Sequence, residues 1–113
     1  QMRTAGATVV PGGSVPLAEP APRRYDDMQL ASLQEIRSTV QCECPNQVAD
    51  LVLALAAFEQ YSIACRNRNE ADAKVHAMLA RATGHSRALM EAALAELCTF
   101  EKIDIERLPR RIA

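Results

Sequence analysis

The sharpest local arrangement of reactive side chains in the sequence is Cys42-Glu43-Cys44-Pro45. Proline there suits the start of a helix, and a thiol beside it meets the positive end of the helix dipole and open backbone N–H groups, which lowers its pKa. If the chain turns back on itself about Arg68, position 44 faces position 92, and Cys98 falls within about two turns of Cys42 and Cys44. Three thiols at one end of a helical bundle could bind a metal or respond to oxidants. Against this, C-x-C is not a zinc-ribbon spacing, no fourth ligand stands nearby, and Cys65 belongs to the far end of the same helix. The plain alternative is that these are small buried or capping residues.

His76 and His85 are nine residues apart, which on a helix turns them about 180° from each other, so they cannot share a metal. The same alignment places His85 near Asp50 and His76 near Glu59, as ordinary flanking histidines. Glu59 falls at the edge of an apolar helix face, between Val52, Leu55 and Ile63. A carboxylate there is either paired or costly. Arg66, or the partner's Tyr61 in a dimer, could reach it. Glu59 and Tyr61 are therefore candidates for a buried polar network or a ligand contact. No phosphate loop is present, because Gly12-Gly13 lacks a following Lys-Ser/Thr, and G-x-S-x-G and H-E-x-x-H are absent. Catalysis and a bound cofactor are not expected.

The 113 residues are 49% hydrophobic and 24% charged, enough for one domain of ordinary globular make-up. Thirteen basic against fourteen acidic residues give a net charge of −1, which argues against a large basic surface for nucleic acid. The basic cluster is Arg107, Arg110 and Arg111 at the tail. No apolar run reaches the roughly 18 residues of a membrane span, so a membrane is not an expected partner. A signal-peptide pattern does not open the chain. Four Cys in a helical chain of this size read as reduced cytoplasmic thiols.

The elements that would position these groups divide by composition. Residues 1–24 hold three of the four Gly and four of the six Pro. They read as a largely disordered linker, with Thr4–Val10 resembling the last strand of a preceding α/β domain. Residues 25–113 read as a helical regulatory or dimerisation domain. Its first helix runs from about Asp27 to Thr39, with Leu30, Leu33, Ile36 and Val40 in one stripe. A second runs from about Pro45 to Arg66, with Val48, Leu51, Leu55, Phe58 and Ser62 on one face and Val52 and Cys65 flanking it. A third, capped by Asn69, buries Ala71, Val75, Met78/Leu79, Ala82, Ser86, Leu89, Ala93, Leu97 and Phe100, with Gly84 on the opposite face. The tail Ile103–Ile105 reads as a frayed end before Pro109.

The expected fold is all-α: a three-helix arrangement dominated by a long antiparallel helical hairpin. The second helix is apolar almost all round, more than two neighbours can cover, so the hairpin is expected to pair into a homodimeric bundle. Val52, Leu53, Ala56 and Ala57 are the interface candidates. The small residues Ala73, Ala77, Ala80, Gly84 and Ala88 behind the third helix could allow close helix approach. Helices of about 22 and 30 residues are too long for a helix-turn-helix.

Several stretches together resemble the C-terminal helical region of certain proteobacterial regulators of the MerR type. They are Cys42 to Val52, Ala57 to Ser62, Cys65 with Asn67-Arg68-Asn69, Ala71 to Ala73 with His76, and Arg87 to Leu94. Such proteins open with a winged helix-turn-helix, continue through a cobalamin-binding-like α/β segment and end in a helical tail. The resemblance covers about Tyr25 to Glu101. It implies transcription regulation for a full protein, with DNA contacted only through a domain absent from this chain. For this chain it implies a non-catalytic regulatory and oligomerisation module, with Cys44, Glu59 and Tyr61 at matching positions. The alternative is a thiol- or metal-responsive sensor using Cys42, Cys44 and Cys98.

Overall fold

A computed structural model of the chain describes residues 14–36 and 43–109. Its elements are α1 (Asp27–Gln34), α2 (Cys44–Ala64), α3 (Glu70–Glu101) and a single 3-10 turn at Ile105–Arg107. The fold is all-helical, and α2 and α3 form the expected antiparallel hairpin, with α1 packed on α2.

The helix starts follow local chemistry. Asp26 opens α1 with a capping box: its carboxylate accepts from the Gln29 backbone N–H at 2.9 Å, and the Gln29 side chain accepts from the Asp26 N–H at 3.1 Å. Pro45 sits in the first turn of α2, where the missing N–H costs nothing. Asn69 caps α3 by accepting from the Asp72 N–H at 2.8 Å.

The first helix is shorter than its apolar stripe suggests. It ends at Gln34 rather than Thr39 because Asn46, on α2, takes its last carbonyls. The Asn46 amide donates to Leu33, Gln34 and Ile36 oxygens at 2.8, 3.0 and 2.9 Å. The Leu33 oxygen also accepts from the Ile36 N–H at 3.3 Å, and the Asn46 amide adds a donor for carbonyls that have no intrahelical partner at the helix end. Val40 lies outside the described residues. The Gln34 amide also donates to Asp50, a second tie between α1 and α2.

The core gathers at the end of the hairpin that α1 crosses. Tyr25, Leu30, Leu33, Ala49, Val52, Leu94, Cys98 and Ile105 form one buried cluster. Ile105 belongs to the tail expected to fray. Lys102 ends α3 in the left-handed region at φ 62°, and the Ile103 N–H returns to the Cys98 carbonyl at 2.8 Å. The chain then folds back, and the Ile105 carbonyl accepts from the Gln29 amide.

Both long helices are rotated relative to their expected faces. On α2 the buried residues are Pro45, Ala49, Val52, Ala56 and Ser62; of the expected face Ser62 is buried and Val48 packs against the core, whereas Leu51 and Phe58 are exposed. Val52 and Ala56, expected at a dimer interface, are instead covered by the chain itself. Leu53 is half-buried against the core, and Ala57 is exposed. On α3 the inward residues are Thr83, Gly84, Arg87, Glu91, Leu94 and Cys98. Much of the expected stripe faces outward: Val75, Leu89 and Phe100 are 48%, 71% and 79% exposed. Gly84 is therefore on the packed side. A Cβ there would run into the Pro20 ring and the Glu59 carboxylate.

Residues 14–24 are not a loose linker. They form a strap extended along α3 and running parallel to it, and their carbonyls are caught in sequence by its side chains. Arg81 donates to Pro16 O at 3.1 Å, His85 to Ala18 O at 2.8 Å and Arg87 to Ala21 O at 2.8 Å. Each proline in this segment lacks an N–H donor but keeps its carbonyl acceptor, so a helix face bearing donors suits it. The expected strand at Thr4–Val10 lies outside the described residues.

Candidate functional site

The densest polar cluster forms where the strap, α2 and α3 meet. Glu59 on α2 points inward beside Ala56, and Arg87 on α3 points back at it. The Arg87 guanidinium grips Glu59 with Nε to Oε1 at 2.8 Å and Nη2 to Oε2 at 3.0 Å, a two-pronged ion pair. Its Nη1 donates to Glu91 Oε1 at 3.0 Å, one turn along α3. The other Glu91 oxygen accepts the backbone N–H groups of Arg24 and Tyr25 at 2.9 and 3.4 Å. Arg87 is 2% exposed. The bonds from Glu59 hold it more firmly charged than usual and outweigh the burial that opposes the charge, with Glu91 adding to them.

Glu59 is thus a paired, largely buried carboxylate, one of the two readings open from the sequence. Its partner within the chain is Arg87 rather than Arg66. A hairpin folded about Arg68 would put position 77 opposite Glu59; the observed partner lies ten positions further along α3. Residues 65–69 make this slip. Cys65 leaves α2 extended at ψ 136°, and the connection is not a tight turn. Position 68 is tied instead to the start of α3: Arg68 holds the Asp72 carboxylate with its backbone N–H at 3.0 Å and Nε at 3.1 Å. These bonds hold the Asp72 carboxyl down to about 2.

The slip also relocates the histidines. His85 meets the Ala18 carbonyl rather than Asp50. The His76 Nδ1 lies 2.7 Å from the Asn67 side-chain oxygen, away from Glu59. Arg87 and Glu91 were missed as site residues. The available signal was an inward carboxylate at position 59 that required a cation, together with an Arg and a Glu four apart on the facing helix.

Beyond the Glu59–Arg87 pair, toward the 65–69 connection, α2 and α3 leave an open groove of about 850 Å³. Ala56, Ala73, Ala77 and Ala80 line it, with Tyr61 and Ile63 at its side. This volume is in the range of small-ligand clefts. The charged groups at its inner end are already engaged with one another, so they are arranged to hold three segments together rather than to present an open charge.

The thiols do not form one site among the described residues. Cys44, at the exposed start of α2, and Cys98, near the end of α3, lie at the same end of the hairpin, but Cys98 is 1% exposed within the core. Burial pushes its thiol up, away from the thiolate that metal or oxidant chemistry uses. Cys42 lies outside the described residues. Among the described residues no group of three or more His, Cys, Asp or Glu could hold a metal ion. Arg107 is exposed; Arg110 and Arg111 lie outside the described residues. No described helix is long and apolar enough to cross a membrane.

Compared with known proteins, the chain matches no protein-family model, no curated protein and no solved structure.

Proposed function

We propose that this chain is a non-catalytic, cytoplasmic regulatory and oligomerisation module of a MerR-type transcriptional regulator, working as a homodimer. In this reading DNA is contacted only through a domain outside these residues. The observation that supports it most is the set of large apolar side chains left in water on the outer sides of the hairpin. Leu51, Phe58 and Tyr61 on α2 are 45%, 44% and 64% exposed. From Ala49 to Ala56 the inward face of α2 is already covered by the chain's own core, so these side chains exceed what that core can bury. Apolar surface of this kind marks an interaction site. A dimer with alternative packings could pass a signal to attached DNA-binding arms by population shift.

Light scattering on the purified chain tests the assembly. A dimer at micromolar concentration is the expected result, and a monomer removes the reading. A gel-shift assay should show no DNA retardation by this chain alone. The MerR assignment is tested separately by the gene: its reading frame should encode a winged helix-turn-helix upstream of this region. The thiol-sensor alternative loses Cys98 to the core, and no observation favours it.

A further inference from the structure

The strap is held on α3 by hydrogen bonds rather than by buried apolar surface. From Ser14 to Arg24 every residue is exposed except Val15 and Pro20, which are half-buried. Tyr25, the next residue, is 1% exposed and belongs to the core. The bonds deepen along the strap. The Pro16 and Ala18 carbonyls meet Arg81 and His85 in exposed positions. The Ala21 carbonyl meets Arg87 partly buried, and the bond from the Tyr25 N–H to Glu91 is buried. An exposed hydrogen bond is exchanged for water at little cost. The outer bonds therefore part before the inner ones, and the run ends at Glu91 and Tyr25.

The inner part of the strap also shields the ion cluster. Arg87 Nη2 divides its two N–H groups between the Ala21 carbonyl and Glu59 Oε2. The Pro20 ring and the Glu59 carboxylate come together over Gly84, closely enough that no Cβ would fit there. With the strap in place the Arg87 and Glu59 side chains are only 2% and 13% exposed. An ion pair that water reaches is much weaker than a shielded one. At this level the pair is what draws α2 and α3 together, since beyond it they stand apart around the groove.

We propose that residues 14–22 are a detachable latch: they peel from α3 starting at Pro16, with Tyr25 as the hinge, and their release wets the Glu59–Arg87 pair and loosens α2 from α3. Pro16, Pro20 and Pro22 have fixed φ, so the strap passes a displacement on rather than absorbing it. A pull on the chain ahead of Ser14 is delivered to the ion cluster and stops at the core. The latch supplies the two-state element that the regulatory reading requires, and it rests on that reading only for its purpose. The coupling is reciprocal, so weakening the pair must also loosen the strap.

The test is made by NMR on the full 113-residue chain. A free peptide of residues 14–24 supplies the amide shifts of the released state. In the wild-type chain the amides of Leu17, Ala18, Glu19 and Ala21 should lie far from the peptide positions. Arg81→Met combined with His85→Leu removes both outer donors and should raise the released fraction about tenfold. The four amides then move along the line toward the peptide. The Arg87 Nε–H, bonded to Glu59 at 2.8 Å, should exchange with water several-fold faster, although neither altered side chain bonds to that pair. Glu59→Gln should move the strap amides in the same direction. Leu89→Ala, on the outward side of α3, should move neither, and circular dichroism checks that helix content is kept in every variant. Strap amides already at the peptide positions in the wild-type chain overturn the latch. So do strap amides that stay in place in the double variant, or an Arg87 Nε–H that exchanges no faster once they have moved. The dimer reading is judged separately, by molecular mass, and survives each of these results.

Discussion

Val52 and Ile63 lie on the same side of the same helix, about 20° apart around its axis, yet Val52 is 0% exposed and Ile63 is 61% exposed. The two residues mark two differently built ends of one hairpin. At the Val52 end, α1, the returning tail and the last turns of α3 supply Leu30, Leu33, Leu94 and Ile105, which close over the helix. At the Ile63 end, α3 offers Ala73, Ala77 and Ala80, and these are too small to reach across, so a groove remains. The boundary between the ends is the Glu59–Arg87–Glu91 cluster. One end is held by volume that many apolar side chains could supply. The other depends on particular charges in particular places.

The largest effect should come from breaking that boundary. Arg87→Met leaves Glu59 and Glu91 facing each other without their shared cation and frees the strap carbonyl at Ala21. Removing one partner of a buried ion pair costs about 3–5 kcal/mol. Urea unfolding should show a loss of this size, measured as a drop in midpoint at unchanged slope. Converting Glu59 to Leu and Glu91 to Gln in the same chain should recover part of it, because the uncompensated carboxylates are then gone. If the triple variant is no more stable than Arg87→Met alone, the loss at this boundary reflects packing rather than charge.

Truncations at the two ends sharpen the contrast. Leu94→Ala removes a fully buried side chain from the closed end and should cost about 2–5 kcal/mol. Ile63→Ala at the open end should change stability by no more than about 0.5 kcal/mol, because the side chain is already mostly in water. Equal losses would mean that the groove is closed in solution. Between these in size is Gly84→Ala. Helix propensity alone would favour alanine, but the added carbon meets Pro20 and Glu59. Overpacking of this kind costs about 1–3 kcal/mol, and the strap over α3 should loosen, visible as faster amide exchange in residues 16–24.

What was legible beforehand divides along the same line. Features set by neighbours in sequence were readable: the cap at Asn69, the early proline of α2 and the hairpin itself. Glu59 could be recognised as needing a partner, but Arg87 could not be named. Its position depends on a ten-residue slip set by residues 65–69, which carry no strong turn signal. The helix faces were misread for a different reason. Periodicity assumes that the most apolar stripe turns inward. On α2 two stripes compete, and the smaller one, Ala49–Val52–Ala56, faces the core. On α3 the inward face bears Gly84, Arg87 and Glu91, which score as polar although they are buried. Charge pairing and close approach decide that face, and neither is visible in hydropathy.

The smallest expected effect lies at the far tip of the open end, where Arg68 holds Asp72. The Asp72 carboxyl falls from 3.8 to about 2 in the folded chain because Arg68 bonds favour its charged form. Its contribution to stability is therefore complete above about pH 4, the ordinary carboxylate value, and is lost as pH falls toward 2. The Arg68 side chain is 81% accessible and that of Asp72 13%, so water and salt reach the pair through its arginine and the effect stays well below that of Arg87. Measuring urea stability of the wild-type chain and Asp72→Asn between pH 5 and pH 2 isolates it, because the other carboxylates cancel in the difference. That difference should shrink across the window and should be smaller throughout in high salt. A pH-independent difference would show that Asp72 acts at the start of α3 through its shape and not its charge, leaving the Glu59–Arg87–Glu91 cluster as the electrostatic hold on this half of the hairpin.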